Sequence, residues 1–333
     1  MRGKTYMAVA MFKDDPDPQG SAGSGRACGA SGNGRKLLIS MKTYLGDAVM
    51  TAPTIDALEE AGWETTLLTA PLAAKALGHA RSIPYTKGRW PWDLMRQARD
   101  LRRYGFGACL LVNRSVRAAL IARLAGVPVR IGHPTEGRSA LLTHAVPEDP
   151  ARFEAASIAD LARPLGVSIA NPVPRVLLSL EERAEGDRLR QGADLAIQPG
   201  ARYDEKRLPF EAIRDAARAW QAEGRRIVTV GGPDERAETD ALIAALDDPV
   251  IDLVGRCGVR ETMAVLAGAS TAIGADTGVM HLAVAVGCPT VQAFGPTPAE
   301  KWGHAYAPHR VLAAPNGRMA ALTAGELMSA VRG

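Results

Sequence analysis

Short apolar runs alternate with helical stretches twice over in this chain, a pattern that confines it to parallel β-α-β units. In the first half Leu37-Leu38-Ile39 leads through a turn into a helical pattern that includes Asp47, Val49, Met50 and Leu58. Further strands are expected at 66–69, 108–112 and 129–131, with helices near 92–104 and 116–125. The second half repeats the texture, with strands at 195–198, 227–230, 250–253, 271–274 and 290–294. Helices are expected there over 209–223, near 237–246, near 260–266 and from His281 onward. Two doubly wound α/β sheets follow. Such sheets bind ligands at the carboxyl ends of their strands, so a cleft between two of them is the expected site.

A chain of 333 residues fits two cores better than one. The expected division is a flexible leader over 1–34, an N-terminal domain over 35–178 and a C-terminal domain over 179–333. Prolines crowd residues 164–174 as the linker approaches. The leader carries Asp14-Asp15-Pro16-Asp17-Pro18 and a Gly/Ser run, too little apolar surface to offset ordering entropy. Its Asp15-Pro16-Asp17 matches a DxD metal pattern, but a proline-rich tail is a poor ligand platform, and the match is read as accidental. Only 5% of residues are aromatic, so the cores should be aliphatic and alanine-rich.

Charge and cysteine usage exclude several classes. The 40 basic and 36 acidic residues are interspersed, without the basic stripe of a nucleic-acid binder. The net charge of +4 suits an anionic small molecule and equally suits surface solubility. Cys28, Cys109, Cys257 and Cys288 are scattered with no CxxC pair, which argues against a zinc ribbon or disulfide scaffold and for a reducing cytoplasm. No run of eighteen apolar residues and no secretory signal pattern occurs, so a soluble protein is expected, with at most transient contact with a membrane surface.

Four segments carry chemistry. In Gly274-Ala275-Asp276-Thr277-Gly278-Val279-Met280-His281-Leu282-Ala283 a carboxylate, a hydroxyl and a glycine stand at a strand end before a helix. Free N–H groups and the helix dipole can receive a phosphate there, and Gly278 allows close backbone approach. His281 either bonds such a phosphate or packs beneath the loop. In Leu45-Gly46-Asp47-Ala48-Val49-Met50-Thr51-Ala52-Pro53 the residues alone leave Asp47 as a helix N-terminal acid or as a base. The loop Gln198-Pro199-Gly200-Ala201-Arg202-Tyr203-Asp204-Glu205-Lys206 ends on a lysine that is either solvated or aimed at phosphate. In Val230-Gly231-Gly232-Pro233-Asp234-Glu235 the glutamate either begins a helix or accepts from two sugar hydroxyls.

In this order, and with Gly287-Cys288-Pro289 leading to Phe294-Gly295-Pro296-Thr297, the segments resemble the heptosyltransferases of glycosyltransferase family 9. The resemblance runs from Lys36 to about Trp302 and implies a GT-B fold, two Rossmann-like domains facing across a cleft. It implies that Asp47 is the base and that Lys206 contacts the donor phosphate. Gly200, Arg202, Glu235, Asp276, Thr277, Gly278 and His281 would form the donor site, with Glu235 on the ribose, while Lys42, Tyr44 and Gly46 belong to the acceptor loop. Leu208 stands where the family usually has tryptophan, and Lys42 and Tyr44 occupy a loop in which arginine is common, which leaves acceptor identity open.

The activity so implied is an inverting, metal-independent glycosyl transfer to a glycan or small-molecule hydroxyl, without a resident cofactor. The donor would be a nucleoside-diphosphate sugar, ADP-linked by the resemblance and carrying a heptose. Alternatives within reach are transfer to an aminocyclitol or nucleoside antibiotic intermediate, or a non-catalytic nucleotide-sugar binder. A dehydrogenase-like reading fails because no glycine fingerprint follows the Lys36 or Leu195 strand. His79, His133, His144, His304 and His309 show no ligand spacing and are given no role.

Overall fold

The computed structural model describes residues 35–42, 44–85 and 92–332; the expected leader, with Asp15-Pro16-Asp17 and Cys28, lies outside them. Its first sheet begins with β1 (Lys36–Ser40), the continuous apolar run. From there the chain passes through α1 (Leu45–Glu60), β2 (Glu64–Thr69), α2 (Pro71–Leu77), β3 (Ser82–Pro84), α3 (Trp92–Arg102) and β4 (Ala108–Leu111). It continues with α4 (Val116–Leu124), β5 (Val129–Gly132), β6 (His144–Ala145) and α5 (Glu154–Asp160). The six strands are parallel in the order β3-β2-β1-β4-β5-β6. A strand covered on both faces reads as an unbroken apolar run. Accordingly Leu37 and Ile39 pack with Ala48 and Met50 of α1 on one face, and Leu38 packs with α3 and α4 on the other.

The second unit comprises α6 (Leu180–Arg190), β7 (Leu195–Ile197), α7 (Phe210–Ala222), β8 (Ile227–Thr229), α8 (Arg236–Ala244), β9 (Ile251–Asp252) and α9 (Val259–Ala267). It ends with β10 (Thr271–Ala275), α10 (Gly278–Ala285), β11 (Thr290–Phe294), α11 (Ala299–Trp302), β12 (Arg310–Ala313) and α12 (Ala324–Arg332). Again six strands run parallel, in the order β12-β11-β10-β7-β8-β9. Connections diverge between β1 and β4 in one sheet and between β7 and β10 in the other, and ligand crevices open at such switch points. All four chemical segments leave the carboxyl ends of strands at or beside them.

Several elements escape sequence inspection. Helix α10 starts at Gly278 rather than His281, because Thr277 is extended at φ −139° and serves as N-cap. That places His281 in the first turn. Helices α2, α5 and α12 and strands β3, β6 and β12 are short, and their placement comes from packing rather than from their own periodicity, whereas α6 starts at a capping box of Ser179 with Glu182. Residues 167–179 carry neither helix nor strand; Val167 and Ile169 pack on the first unit's core, whereas Val176, whose N–H donates to Ala285 O at 2.8 Å, and Leu178 pack on the second. The two units share apolar surface, since Val49 of α1 and Ala76 of α2 belong to one buried cluster with Met263, Met280 and Leu282.

Candidate active site

On the second unit, Gln198 at the end of β7 is buried and joins two loops. Its amide donates to Glu235 Oε2 at 2.5 Å and to the Gly200 carbonyl, while its oxygen accepts from Thr277 Oγ1 at 3.2 Å. A Cβ on Gly200 would lie 2.8 Å from that of Glu235, so glycine permits the loops to meet. Burial pushes the Glu235 carboxyl up, opposed by the Gln198 hydrogen bond. Lys206 ends a short 3₁₀ turn (Asp204–Lys206) and pairs with Asp276 Oδ2 at 2.7 Å. His281 Nε2 approaches Asp276 Oδ1 at 3.5 Å. Burial alone would raise the Asp276 carboxyl, but His281 and then Lys206 outweigh it and hold it at about 2. Lys206, Asp276, His281 and Thr277 thus stand together where the first N–H groups of α10 lack i→i−4 partners.

Across the cleft, Asp47 is the third residue of α1, and Tyr44 serves as N-cap without a side-chain hydrogen bond. Asp47 is therefore not a cap. Its Oδ1 accepts from Lys42 Nζ at 2.9 Å, and the same ammonium reaches Glu154 Oε1 at 2.9 Å. Arg114, after β4, donates to Glu148 and Glu154, while Lys301 of the second unit lies 3.4 Å from Glu148 and 3.7 Å from Glu154. Three cations thus interleave with two carboxylates beside the candidate base. Burial would raise the Glu154 carboxyl, yet the Arg114 hydrogen bond and the Lys42 charge hold it at about 2. Trp302 covers the assembly, with Lys42 Nζ 5.1 Å from the ring centroid.

The two halves meet at glycines. A Cβ on Gly46 would lie 2.6 Å from His281 Cδ2, and one on Gly278 would lie 3.0 Å from the Cβ of Leu45. Arg202 of the donor loop lies 5.9 Å from the Tyr44 ring, joining two expected site residues across the cleft. Among the described residues Asp47 has no direct contact with Lys206 or Asp276; Gly46 and His281 stand between the two groups. Among the described residues, no three His, Cys, Asp or Glu side chains converge as a metal site. Sequence inspection missed Gln198, Arg114, Glu148, Glu154 and Lys301 as site residues. It also gave His304 no role, whereas His304 Nε2 lies 2.8 Å from His281 Nδ1.

This geometry can be set beside known proteins. The profile of glycosyltransferase family 9 (heptosyltransferase) matches residues 94–329, which include every donor-side residue named above. The chain belongs to glycosyltransferase family 9. It is accordingly a glycosyltransferase, and its two Rossmann-like units form the GT-B arrangement of its family 9 neighbours. Lipopolysaccharide heptosyltransferase 2 of Salmonella typhimurium is 23% identical over 290 residues, covering 79% of this chain and 83% of that protein. Among solved structures, a family 9 glycosyltransferase from Veillonella parvula superposes with TM-score 0.79 at 18% identity, over 89% of this chain and 95% of the other. The E. coli heptosyltransferase WaaC with ADP gives 0.70 at 20% identity, over 88% and 98%. The family 9 match begins after the Lys42 to Asp47 loop, whose place in the site rests on the geometry.

Proposed function

We propose that this family 9 enzyme is an inverting, metal-independent transferase that moves a heptose from ADP-heptose to an acceptor hydroxyl. The observation that carries the reading is the meeting of α1 and α10, which sets Asp47 on one wall and Lys206 with the α10 start on the other. An acceptor hydroxyl attacks the anomeric carbon and Asp47 takes its proton. The bond from that carbon to the phosphate oxygen breaks with its electron pair on the departing diphosphate. Lys206 and the first-turn N–H groups of α10 meet that charge, the kind of preorganised stabilisation that contributes most in such sites. Buried Glu235, aligned by Gln198, accepts from the ribose hydroxyls. The ADP assignment is supported by kinship with heptosyltransferases, one of them solved with ADP.

Residues up to about 178 then serve as the acceptor side and those beyond as the donor side. No described helix is long and apolar enough to cross a membrane. Cys109, Cys257 and Cys288 are free thiols, which supports a reducing compartment, the cytoplasm. The test is to titrate ADP, GDP and UDP in the presence of a chelator while following thermal unfolding, then to assay ADP release from ADP-heptose and the anomer formed. We expect ADP to raise Tm most, since saturation at 100 times Kd adds about 2.7 kcal/mol. A larger shift with GDP or UDP overturns the nucleotide, chelator-sensitive turnover overturns metal independence, and a retained anomer overturns inversion.

A further inference from the structure

Behind the donor wall lies a buried histidine-tyrosine cluster that the transfer reaction as described does not use. His304 has no exposed surface, and its backbone N–H donates to Gln292 Oε1 at 3.2 Å. Its Nε2 lies 2.8 Å from His281 Nδ1 and its Nδ1 lies 3.0 Å from the Tyr306 hydroxyl. The ring also meets Phe153 of the first unit edge-on, with centroids 5.5 Å apart, next to the Glu154 that binds Lys42. His304 therefore touches the donor group through His281 and the acceptor wall through Phe153. His309 completes the cluster, 6.2 Å from His304 between ring centroids and bonded to Thr290.

We propose that His304 is a positioning residue, which holds the His281 ring with its Nε2–H directed at Asp276 and, in the donor complex, at the departing diphosphate. Each of the contacts His281–His304 and His304–Tyr306 holds one hydrogen between two heavy atoms. Asp276 is ionised and can only accept, so the hydrogen facing it sits on His281 Nε2. In the neutral ring Nδ1 is then an acceptor, and His304 must offer Nε2–H. His304 Nδ1 accepts in turn from Tyr306, whose hydroxyl burial keeps protonated. One consistent chain results, from Tyr306 through His304 and His281 to Asp276.

A histidine suits this post because one nitrogen donates to His281 Nδ1 while the other accepts the Tyr306 hydroxyl hydrogen, so neither neighbour is left unpaired. An aliphatic side chain would leave the buried His281 Nδ1 unpaired. The ring would then be free to place its hydrogen on Nδ1 and turn a lone pair toward the carboxylate.

The directing of Nε2–H at diphosphate rests on the proposed function, and the test separates the two. Long-range 1H–15N correlation on histidine-labelled, substrate-free protein reads which His281 nitrogen bears hydrogen, whatever the enzyme transfers. We expect hydrogen on Nε2 in the parent and a mixture of tautomers in His304→Leu. Turnover should fall roughly 10-fold or more in His304→Leu with donor KM changed less, and His304→Gln, which can donate or accept, should recover most of it. Hydrogen on Nδ1 alone in the parent overturns the proposal without any variant. So does His304→Leu with parental turnover, or His304→Gln no better than His304→Leu at equal folded fraction.

Discussion

Asp47 is held by two constraints that a single substitution separates. As the third residue of α1 it favours the helix dipole, and its Oδ1 binds Lys42 at 2.9 Å. Asparagine is nearly isosteric and keeps an oxygen for Lys42, but it cannot take a proton. Asp47→Asn should therefore leave ADP affinity and melting temperature close to the parent, because the residues proposed to bind the donor lie on the other unit, while transfer falls about 10²-fold or more. Steady-state rates beside thermal unfolding decide it; parental turnover, or activity lost only with folded protein, removes Asp47 as base. At this scale the sequence is legible where chemistry sits in one contiguous stretch, as with Asp276, Thr277, Gly278 and His281. It is silent where partners arrive from distant loops. Glu154 stands at the start of a short helix with no motif around it, and its worth appears only when Lys42 and Arg114 converge on it. Gln198 and His304 could have been suspected, the first for ending a buried strand ahead of Pro199-Gly200, the second for following Phe294-Gly295-Pro296-Thr297 closely.

Among the elements, the helices that start at the switch points of the two sheets are the pair on which the site depends. Helix α1 can approach α10 only because Gly46 has no side chain where the His281 ring lies. On an isolated helix Gly→Ala would gain roughly 0.5–1 kcal/mol. Here the added Cβ would sit 2.6 Å from His281 Cδ2, and that ring is tied to His304 and faces Asp276, so it has little freedom to yield. Gly46→Ala should thus run against helix propensity, lowering Tm and raising the donor KM as His281 shifts. A variant more stable than the parent, with unchanged KM, would show that the helices separate without cost. The sequence displays α1 through its periodicity and glycines but says nothing of the partner helix, since the meeting joins residues more than 200 positions apart. The same holds for α6 against α9, where Gly186 packs its Cα on the Ala264 backbone: a Cβ there would lie 2.4 Å from the Ala264 carbonyl.

For the molecule as a whole, the strands, the two sheets and their parallel sense are readable because each central strand is an unbroken apolar run between helical patterns. How one unit faces the other is not, because the join consists of single residues such as Val49, Phe153, Lys301 and Arg260, the last donating to Ala76 O at 3.1 Å. Those joins also bury ionisable groups, and they make stability depend on pH in a defined order. Burial pushes His309 down to about 4 and pushes His304, beside His281 and His309, well below its usual range. The folded protein refuses protons that the unfolded chain takes near pH 6.5, so their contribution is complete above that value and is lost as pH falls below it, for His309 down to about 4. Glu154 and Asp276, both held at about 2, act lower: their contribution is complete above the usual carboxylate range and disappears as pH falls from about 4.3 toward 2. Acid should therefore weaken the protein in two stages, the first from histidines and the second from carboxylates. In the first stage each buried histidine adds a slope of at most about 1.4 kcal/mol per pH unit. His309→Gln keeps a partner for Thr290 Oγ1 but cannot be protonated, so its Tm should fall less steeply than the parent's between pH 6.5 and 4 and in parallel with it below 4. Thermal unfolding across pH 8 to 3 reads both stages. Identical slopes for the two proteins above pH 4 would mean that His309 is solvated and protonated in the fold, and that the cluster behind the donor wall is wet rather than closed.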